Sequence, residues 1–146
     1  MKRMTKEEYG KLAKEASPGT KSWKTIPMAF LVGGGICTFG QLLLNLYLMA
    51  GMDEKIASMT VSVTLIFLSV LATALNVYDN LAKHAGAGTL VPITGFANSV
   101  AAPALEFKSE GLILGIGAKL FSIAGPVIVY GIGASCIYGI LYYLFR

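Results

Sequence analysis

Three long runs without a charged residue constrain this chain more than any other feature of its sequence. They extend from Met28 to Ala50, from Ile56 to Tyr78 and from Leu120 to Phe145. Each run exceeds the roughly 20 residues that an α-helix needs to cross a hydrocarbon core about 30 Å thick. Hydrophobic residues make up 55% of the chain and charged residues only 14%, which leaves little polar surface for a soluble fold. The sequence therefore predicts an all-α integral membrane protein.

The basic residues concentrate in the N-terminal tail, 1–27. Residues up to Lys24 include seven Lys or Arg and three Glu, and the five basic and five acidic residues that follow cancel, so the tail carries the whole net charge of +4. A basic segment ahead of a first span indicates a cytoplasmic N-terminus. Thr5 and Glu8 fit the capping box of a short amphipathic helix, and Trp23 fits an interfacial anchor. We expect this helix to lie on lipid, with docking of a soluble partner as the alternative. A nucleic-acid interface would need interleaved aromatics and a larger basic surface.

The membrane domain, 28–146, is predicted to have spans at about 28–50, 56–79 and 124–145. Polar side chains recur at helical spacing along the first two spans, at Gln41, Asn45, Ser69, Thr73 and Asn76. Amide groups are costly against lipid, so these faces should point inward. They can line a wet pathway, or they can serve only as hydrogen bonds between packed helices. The spacing fits both interpretations.

The segment between the second and the last span, 85–123, has the hydrophobicity of a membrane helix and the residues of a loop. No charge lies between Ala85 and Leu105, yet five helix breakers interrupt this stretch: Gly86, Gly88, Pro92, Gly95 and Pro103. Irregular backbone survives at membrane depth only where protein or trapped water satisfies it. We therefore predict a re-entrant element, with extended chain over Ala85–Ile93 and a short returning helix over Gly95–Leu105. A fourth, kinked full span is the alternative.

The start of the returning helix is the best candidate for a solute site. Its N-terminus would place N–H groups and the positive end of the helix dipole near the middle of the membrane, where they attract anions. Thr94 can cap this helix, and broken helices of this kind mark transport sites. The candidates for an anion path here are Thr94, Gly95, Asn98 and Ser99. Lys119 adds a cation that can draw anions toward the path, or that can snorkel to the interface.

No pattern of catalytic or metal-binding residues accompanies these features. Cys37 and Cys136 both lie in apolar spans, where free cysteine behaves as a small hydrophobe. The sequence contains no paired carboxylates, no Cys/His or Ser/His arrangement, no phosphate-binding loop and no metal-ligand spacing. We therefore expect no enzyme activity, no cofactor and no metal site.

Two stretches resemble a known family. They are AFLVGGGICTFGQLLLNLY at Ala29–Tyr47 and AGAGTLVPITGFANSVAAPALEFKSEGLILGIGAKLF at Ala85–Phe121. Both closely resemble the SpoVAC (stage V sporulation protein AC) family of endospore-forming bacteria, whose sister family SpoVAE shares a looser form of the second stretch. The basic tail and the EFKSEG run at Glu106–Gly111 favour the AC family. The resemblance supplies no binding residues.

The resemblance implies a subunit of the SpoVA complex in the spore inner membrane. That complex is linked to moving dipicolinic acid, chelated with Ca²⁺, into the forespore and to releasing it in germination. The AC protein is regarded as a mechanosensitive, channel-like protein that works with the soluble dipicolinate-binding partner SpoVAD and with SpoVAE-type membrane subunits. Three spans are too few to enclose a path for such a solute, so we expect a homo- or hetero-oligomer in the lipid bilayer. A non-conducting scaffold that recruits SpoVAD is the alternative.

Overall fold

The computed structural model describes residues 6–16 and 22–145, and within these ranges every regular element is helical. Seven α-helices follow one another there: α1 Lys6–Ala16, α2 Ser22–Met49, α3 Glu54–Ala74, α4 Val77–Ala85, α5 Ala87–Leu90, α6 Ile93–Glu106 and α7 Ala124–Phe145. A 3₁₀-helix and a π-helix connect α6 to α7, at Phe107–Glu110 and Leu112–Gly117. Three described segments are long and apolar enough to cross a membrane: Trp23–Met49, Glu54–Ala74 and Ala124–Phe145. The predicted all-α membrane protein with three spans and a broken helical segment is confirmed.

The N-terminal helices differ in detail from the prediction. The short amphipathic helix is α1, but Thr5 of its expected capping box and the side chain of Glu8 lie outside the described residues. α2 begins at Ser22, ahead of the apolar run, and includes Pro27. A proline has no backbone N–H to donate. The carbonyl of Trp23, four residues before Pro27, therefore lacks its hydrogen bond within the helix, and this lies near the exposed start of α2.

α2 and α3 form an antiparallel pair joined by a short turn. Gly51 adopts φ +86° in this turn, a left-handed conformation that glycine reaches without strain. Across the pair, the hydroxyl oxygens of Tyr47 and Thr64 lie 3.0 Å apart. A Cβ on Gly40 would meet the Leu65 side chain at 3.4 Å. The two spans are therefore in van der Waals contact and share one hydrogen bond.

α3 ends at Ala74, short of the predicted residue 79, because the chain turns at Asn76. Asn76 adopts φ +57° and ψ +17°, a left-handed conformation that asparagine tolerates better than most residues with a side chain. Its N–H donates to the Thr73 carbonyl at 3.0 Å. The polar residues at helical spacing along the second span, which we call the polar seam, predict one continuous helix through Tyr78. The turn instead brings Tyr78 back toward α3. That part of the prediction is wrong.

The expected extended chain over Ala85–Ile93 is also wrong, because this stretch is mostly helical. α4 continues to Ala85, Gly86 turns the chain at φ +48°, and α5 occupies Ala87–Leu90. Pro92 then takes an extended conformation, with ψ 161°, and separates α5 from α6.

Thr94 does not cap the returning helix. α6 begins at Ile93, so Thr94 lies within its first turn. No side-chain hydrogen bond caps the start of this helix. The preceding proline, not the threonine, sets the start of the helix. This leaves the Thr94 hydroxyl available for contacts with other helices.

α6 is shorter than a membrane span and runs parallel to α3. Its 14 residues span about 21 Å at 1.5 Å per residue, too little to cross a core of about 30 Å. Ser69 bonds to Thr94 and, one turn further along both helices, Thr73 bonds to Asn98. Because both residue numbers rise together, the two helices point the same way. α6 therefore starts level with Ser69, inside the length of α3.

α7 stands apart from this packed unit. Ala124, its first residue, is buried, whereas every residue from Pro126 to Phe145 is exposed. The break expected at Gly125-Pro126 falls instead in the turn 120–123, because Pro126 lies in the first turn of α7, where backbone donors have no partner within the helix. Between α6 and this turn the chain is compact, since a Cβ on Gly115 would overlap the Phe107 carbonyl.

Candidate functional site

A group of hydrogen-bonded residues lies where α3, α4, α5 and α6 meet. We name it the polar cluster, and it consists of Ser69, Thr73, Tyr78, Thr89, Thr94 and Asn98. Ser69 Oγ donates to the Thr94 carbonyl at 2.6 Å. Thr73 Oγ1 shares its proton between the Ser69 carbonyl and Asn98 Oδ1, both at 2.8 Å. These bonds fix α6 against α3 in one register.

Tyr78 links the cluster to α5. Its hydroxyl donates to the Thr89 carbonyl at 2.7 Å and lies 3.0 Å from Thr94 Oγ1. Thr89 Oγ1 in turn donates to the Gly86 carbonyl at 2.9 Å. One phenol group therefore joins α4 to both sides of the break at Pro92.

The polar cluster is largely shielded from its surroundings. The exposed fraction is 3% for Ser69, 4% for Thr73 and 6% for Tyr78. Among the described residues, no buried side-chain polar atom lacks a hydrogen-bond partner. Leaving one such group unpaired costs roughly 1–3 kcal/mol. The cluster therefore holds the start of α6 firmly, and it requires hydroxyl groups at defined positions.

Glycines bring the backbones around the cluster into direct contact. A Cβ on Gly88 would overlap the backbone of Ala29 in α2, and a Cβ on Gly33 would lie 3.2 Å from the Gly88 carbonyl oxygen. A Cβ on Gly95 would overlap the carbonyls of Thr89 and Leu90. The breakers in the sequence therefore serve close packing of α5 on α2 and of α6 on α5.

The structure brings together five of the predicted site residues: Ser69, Thr73, Thr94, Gly95 and Asn98. Ser69, Thr73, Thr94 and Asn98 bond to one another, as the packing interpretation of the polar seam requires. Gly95 lies at the same helix start. Sequence reasoning missed Tyr78 and Thr89. On a continuous helix Tyr78 would lie far from Ser69, and Thr89 lies in the stretch predicted to be extended. The position of Tyr78 depends on the left-handed turn at Asn76, which periodicity does not reveal.

The other predicted residues lie elsewhere. On an exposed face of α2, Gln41 Nε2 donates to Asn45 Oδ1 at 3.1 Å. Ser99 Oγ bonds only its own helix, at the Phe96 carbonyl. Lys119 Nζ lies 5.2 Å from the centre of the Phe107 ring, a cation–π contact outside the polar cluster. A further predicted residue, Asn76, lines the polar cavity described next.

Two cavities flank the interface of α3 with α6. An apolar one of about 340 Å³ lies between α2 and α3, and the cluster residues Ser69, Tyr78 and Thr94 form part of its wall. A polar one of about 400 Å³ is lined by Thr73, Asn76, Asp79, Ala102, Leu105 and Glu106. The side chains of the polar cluster lie between the two. The carboxylates of Asp79 and Glu106 give the polar cavity a negative charge that repels a free anion.

Comparisons with known proteins identify the family of this chain. The family model described as SpoVAC/SpoVAEB sporulation membrane protein matches residues 25–141. Stage V sporulation protein AC of Bacillus subtilis (strain 168) is 45% identical over 142 residues, which cover 97% of this chain and 95% of that protein. No solved structure matches the chain. The chain therefore belongs to the SpoVAC/SpoVAEB family of sporulation membrane proteins.

Proposed function

We propose that this chain is a channel subunit of the SpoVA complex. In this role it moves dipicolinic acid with Ca²⁺ into the forespore and releases it during germination, in response to membrane tension. It lies in the spore inner membrane with its N-terminus on the core side, and it assembles with SpoVAD and SpoVAE-type subunits. The observation that carries the proposal is α6, a helix too short to span the membrane, which starts inside the length of α3 between two cavities.

The geometry of α6 suits the passage of a polar solute. Broken helices that end inside the membrane are the usual elements of transport sites, because their ends present backbone groups and dipoles away from water. The apolar and polar cavities lie on either side of the Ser69–Thr94 and Thr73–Asn98 bonds. Each such bond contributes only about 0.5–1.5 kcal/mol net. A shift of α6 that joins the cavities must break these buried bonds, so in this proposal membrane tension supplies the free energy of opening.

Charge favours passage of the chelate over passage of the free acid. Dipicolinate is a dianion, and Ca²⁺ neutralises it in a one-to-one complex. The polar cavity has Asp79 and Glu106 in its wall, and like charges repel strongly where water is scarce. A neutral chelate avoids this repulsion, which is why we include Ca²⁺ in the proposed cargo.

The complete path requires more than one subunit. In the single chain, the amides of Gln41 and Asn45 face outward from α2, where contact with lipid is costly. All of α7 beyond its first turn is exposed. We infer that the Gln41–Asn45 face and α7 border neighbouring subunits in the assembly.

The sharpest test fills the polar cavity without replacing a residue of the polar cluster. Ala102→Phe places a ring in the cavity, and Ala104→Phe adds the same ring to the same helix outside the lining of either cavity. We expect spores carrying Ala102→Phe to contain several-fold less dipicolinate and to release it more slowly. Terbium luminescence measures both quantities, and immunoblotting of inner-membrane fractions verifies equal protein levels. Spores carrying Ala104→Phe should resemble the wild type.

The alternative function is a non-conducting scaffold that recruits SpoVAD and other subunits. The apolar residues Leu112, Ile113 and Leu114 favour it, since they are 79–84% exposed beside the charged segment at Phe107–Glu110. A scaffold predicts that deleting residues 1–22 abolishes complex formation and that Ala102→Phe leaves dipicolinate content unchanged. Normal content in Ala102→Phe spores at wild-type protein level would therefore overturn the channel proposal.

A further inference from the structure

The N-terminal helix α1 has an apolar stripe that the rest of the described chain leaves uncovered. Tyr9 and Leu12 lie on one side of α1, three residues apart, and their exposed fractions are 66% and 50%. Ala13 beside them is exposed as well. At 100° per residue, Lys11 points to the opposite side from Tyr9. α1 is therefore amphipathic, and its apolar side faces outward from this chain.

The charge of the tail lies on both sides of α1 rather than within it. The helix sequence KEEYGKLAKEA contains three Lys and three Glu, which cancel. The whole net charge of +4 comes from the flanking cations Lys2, Arg3, Lys21 and Lys24. Each Lys or Arg close to an anionic lipid surface contributes about 1 kcal/mol of attraction. An anionic surface would therefore hold a nearly neutral helix by its two ends.

The chain also keeps α1 close to the membrane. α2 begins at Ser22, and Trp23, which is 89% exposed, is the residue type that anchors a span at the interface. Only five residues, 17–21, separate α1 from α2. Even a fully extended linker of that length reaches only about 20 Å at ~3.6 Å per residue. A helix on so short a tether meets the lipid surface at high effective concentration.

We propose that α1 is a charge-dependent surface anchor that lies in the plane of the membrane among the headgroups of anionic lipids. Tyr9 and Leu12 enter the boundary between headgroups and acyl chains, while Lys11 faces water. Such a surface satisfies the apolar stripe, the flanking cations and the short tether together. This anchor is independent of whether the chain conducts dipicolinate.

The test compares two labels on opposite sides of α1 in the full chain. Cys37 and Cys136 are replaced by Ala, and an environment-sensitive fluorophore is attached at Tyr9→Cys or at Lys11→Cys. Each protein is reconstituted into vesicles of phosphatidylcholine alone or with 30% phosphatidylglycerol. With phosphatidylglycerol, we expect the label at position 9 to shift to the blue and to resist quenching by iodide. The label at position 11 should stay quenchable in both vesicles.

Charge variants sharpen the result. Replacing Lys21 and Lys24 by Gln should lower the equilibrium constant for the protected state about fivefold for each cation. Equal protection of position 9 in both kinds of vesicle would show that the charges are dispensable and would overturn the proposal. Quenching of position 9 in both kinds would overturn it too. If protection then appeared only with a soluble spore extract, the apolar stripe would belong to a protein partner.

Discussion

α6 and α7 are both apolar, glycine-containing helices, yet they relate to the rest of the chain in opposite ways. α6 is shorter than a membrane span and packs closely, with Ala97 and Ala101 buried against its neighbours. α7 is long enough to span and is exposed from Pro126 onward. α7 is the more apolar of the two, yet it is the one that packs less against the described chain. The difference shows that hydropathy decides whether a helix enters the membrane, and that a few polar and glycine contacts decide what it packs against.

The contacts that fix α6 are specific in position. In its first turn, Thr94 takes part in two hydrogen bonds with other helices. The next residue, Gly95, has no side chain and lets two carbonyls of α5 approach. The glycines of α7 have no such partners, because Cβ atoms built on Gly131 and Gly139 meet nothing within 4 Å. In a membrane, lipid competes with apolar packing, so close backbone approach and hydrogen bonds must supply the preference. We therefore expect matched substitutions in the two regions to differ in size and even in sign.

The largest difference should come from adding one methyl group to a glycine. Gly88→Ala places Cβ against the backbone of Ala29, which cannot rotate away. Overpacking costs about 1–3 kcal/mol and sometimes more, and we expect the upper end here. Gly131→Ala fills open space in α7 and should gain up to about 1 kcal/mol of helix propensity. Thermal unfolding in detergent, followed by circular dichroism, measures both.

The result would break the comparison if the two glycine variants unfolded at the same temperature. Gly95→Ala tests the same close packing independently, because its Cβ would meet the carbonyls of Thr89 and Leu90 rather than α2. A normal unfolding temperature for both Gly88→Ala and Gly95→Ala would mean that the break between α5 and α6 is loosely packed.

A smaller loss should follow the removal of one buried hydroxyl group. Tyr78→Phe keeps the ring and leaves the Thr89 carbonyl without its 2.7 Å donor, at a cost of about 1–3 kcal/mol. Tyr130→Phe on α7 is the matched control, since that side chain is 79% exposed. Unfolding in detergent should separate the two variants. Equal stability would indicate that water or detergent replaces the phenol, and that the polar cluster is not shielded as we describe.

Much of the architecture could be predicted because its causes are local. The uncharged runs predict the three candidate spans, and the breakers between Gly86 and Pro103 predict an interrupted segment. The same breakers could not give the path of the chain. Whether Gly86 and Pro92 border an extended stretch or short helices depends on what the backbone meets in α2, and those contacts come from distant parts of the sequence.

The candidate site could be predicted only in part for a similar reason. Ser69 and Thr73 could be predicted to face inward because they share one helical face, but their partners in α6 could not be predicted. Tyr78 could not, since its position follows from one residue, Asn76, in a left-handed conformation. Only a few residue types, asparagine among them, adopt that conformation. In the sequence, however, Asn76 fits the helical spacing of the polar residues and gives no sign that the helix ends there. Periodicity describes regular helices and fails where a helix turns.

The smallest expected effect compares two serines that each donate one hydrogen bond. Ser69 Oγ donates to the Thr94 carbonyl of another helix at 2.6 Å, whereas Ser135 Oγ donates to the Gly131 carbonyl of its own helix at 2.8 Å. Hydrogen bonds between membrane helices contribute about 0.6 kcal/mol on average and up to about 1.7 kcal/mol. Ser69→Ala should therefore lower stability by about 1 kcal/mol, while Ser135→Ala should leave it unchanged, because the Gly131 carbonyl keeps its bond within α7. Ser69, unlike Ser135, joins two helices. Its loss should therefore also speed hydrogen exchange at the first amides of α6. Faster exchange there without a change at the end of α3 would locate the loosened contact, and unchanged exchange would mean that the Thr73–Asn98 bond and Tyr78 hold α6 without Ser69.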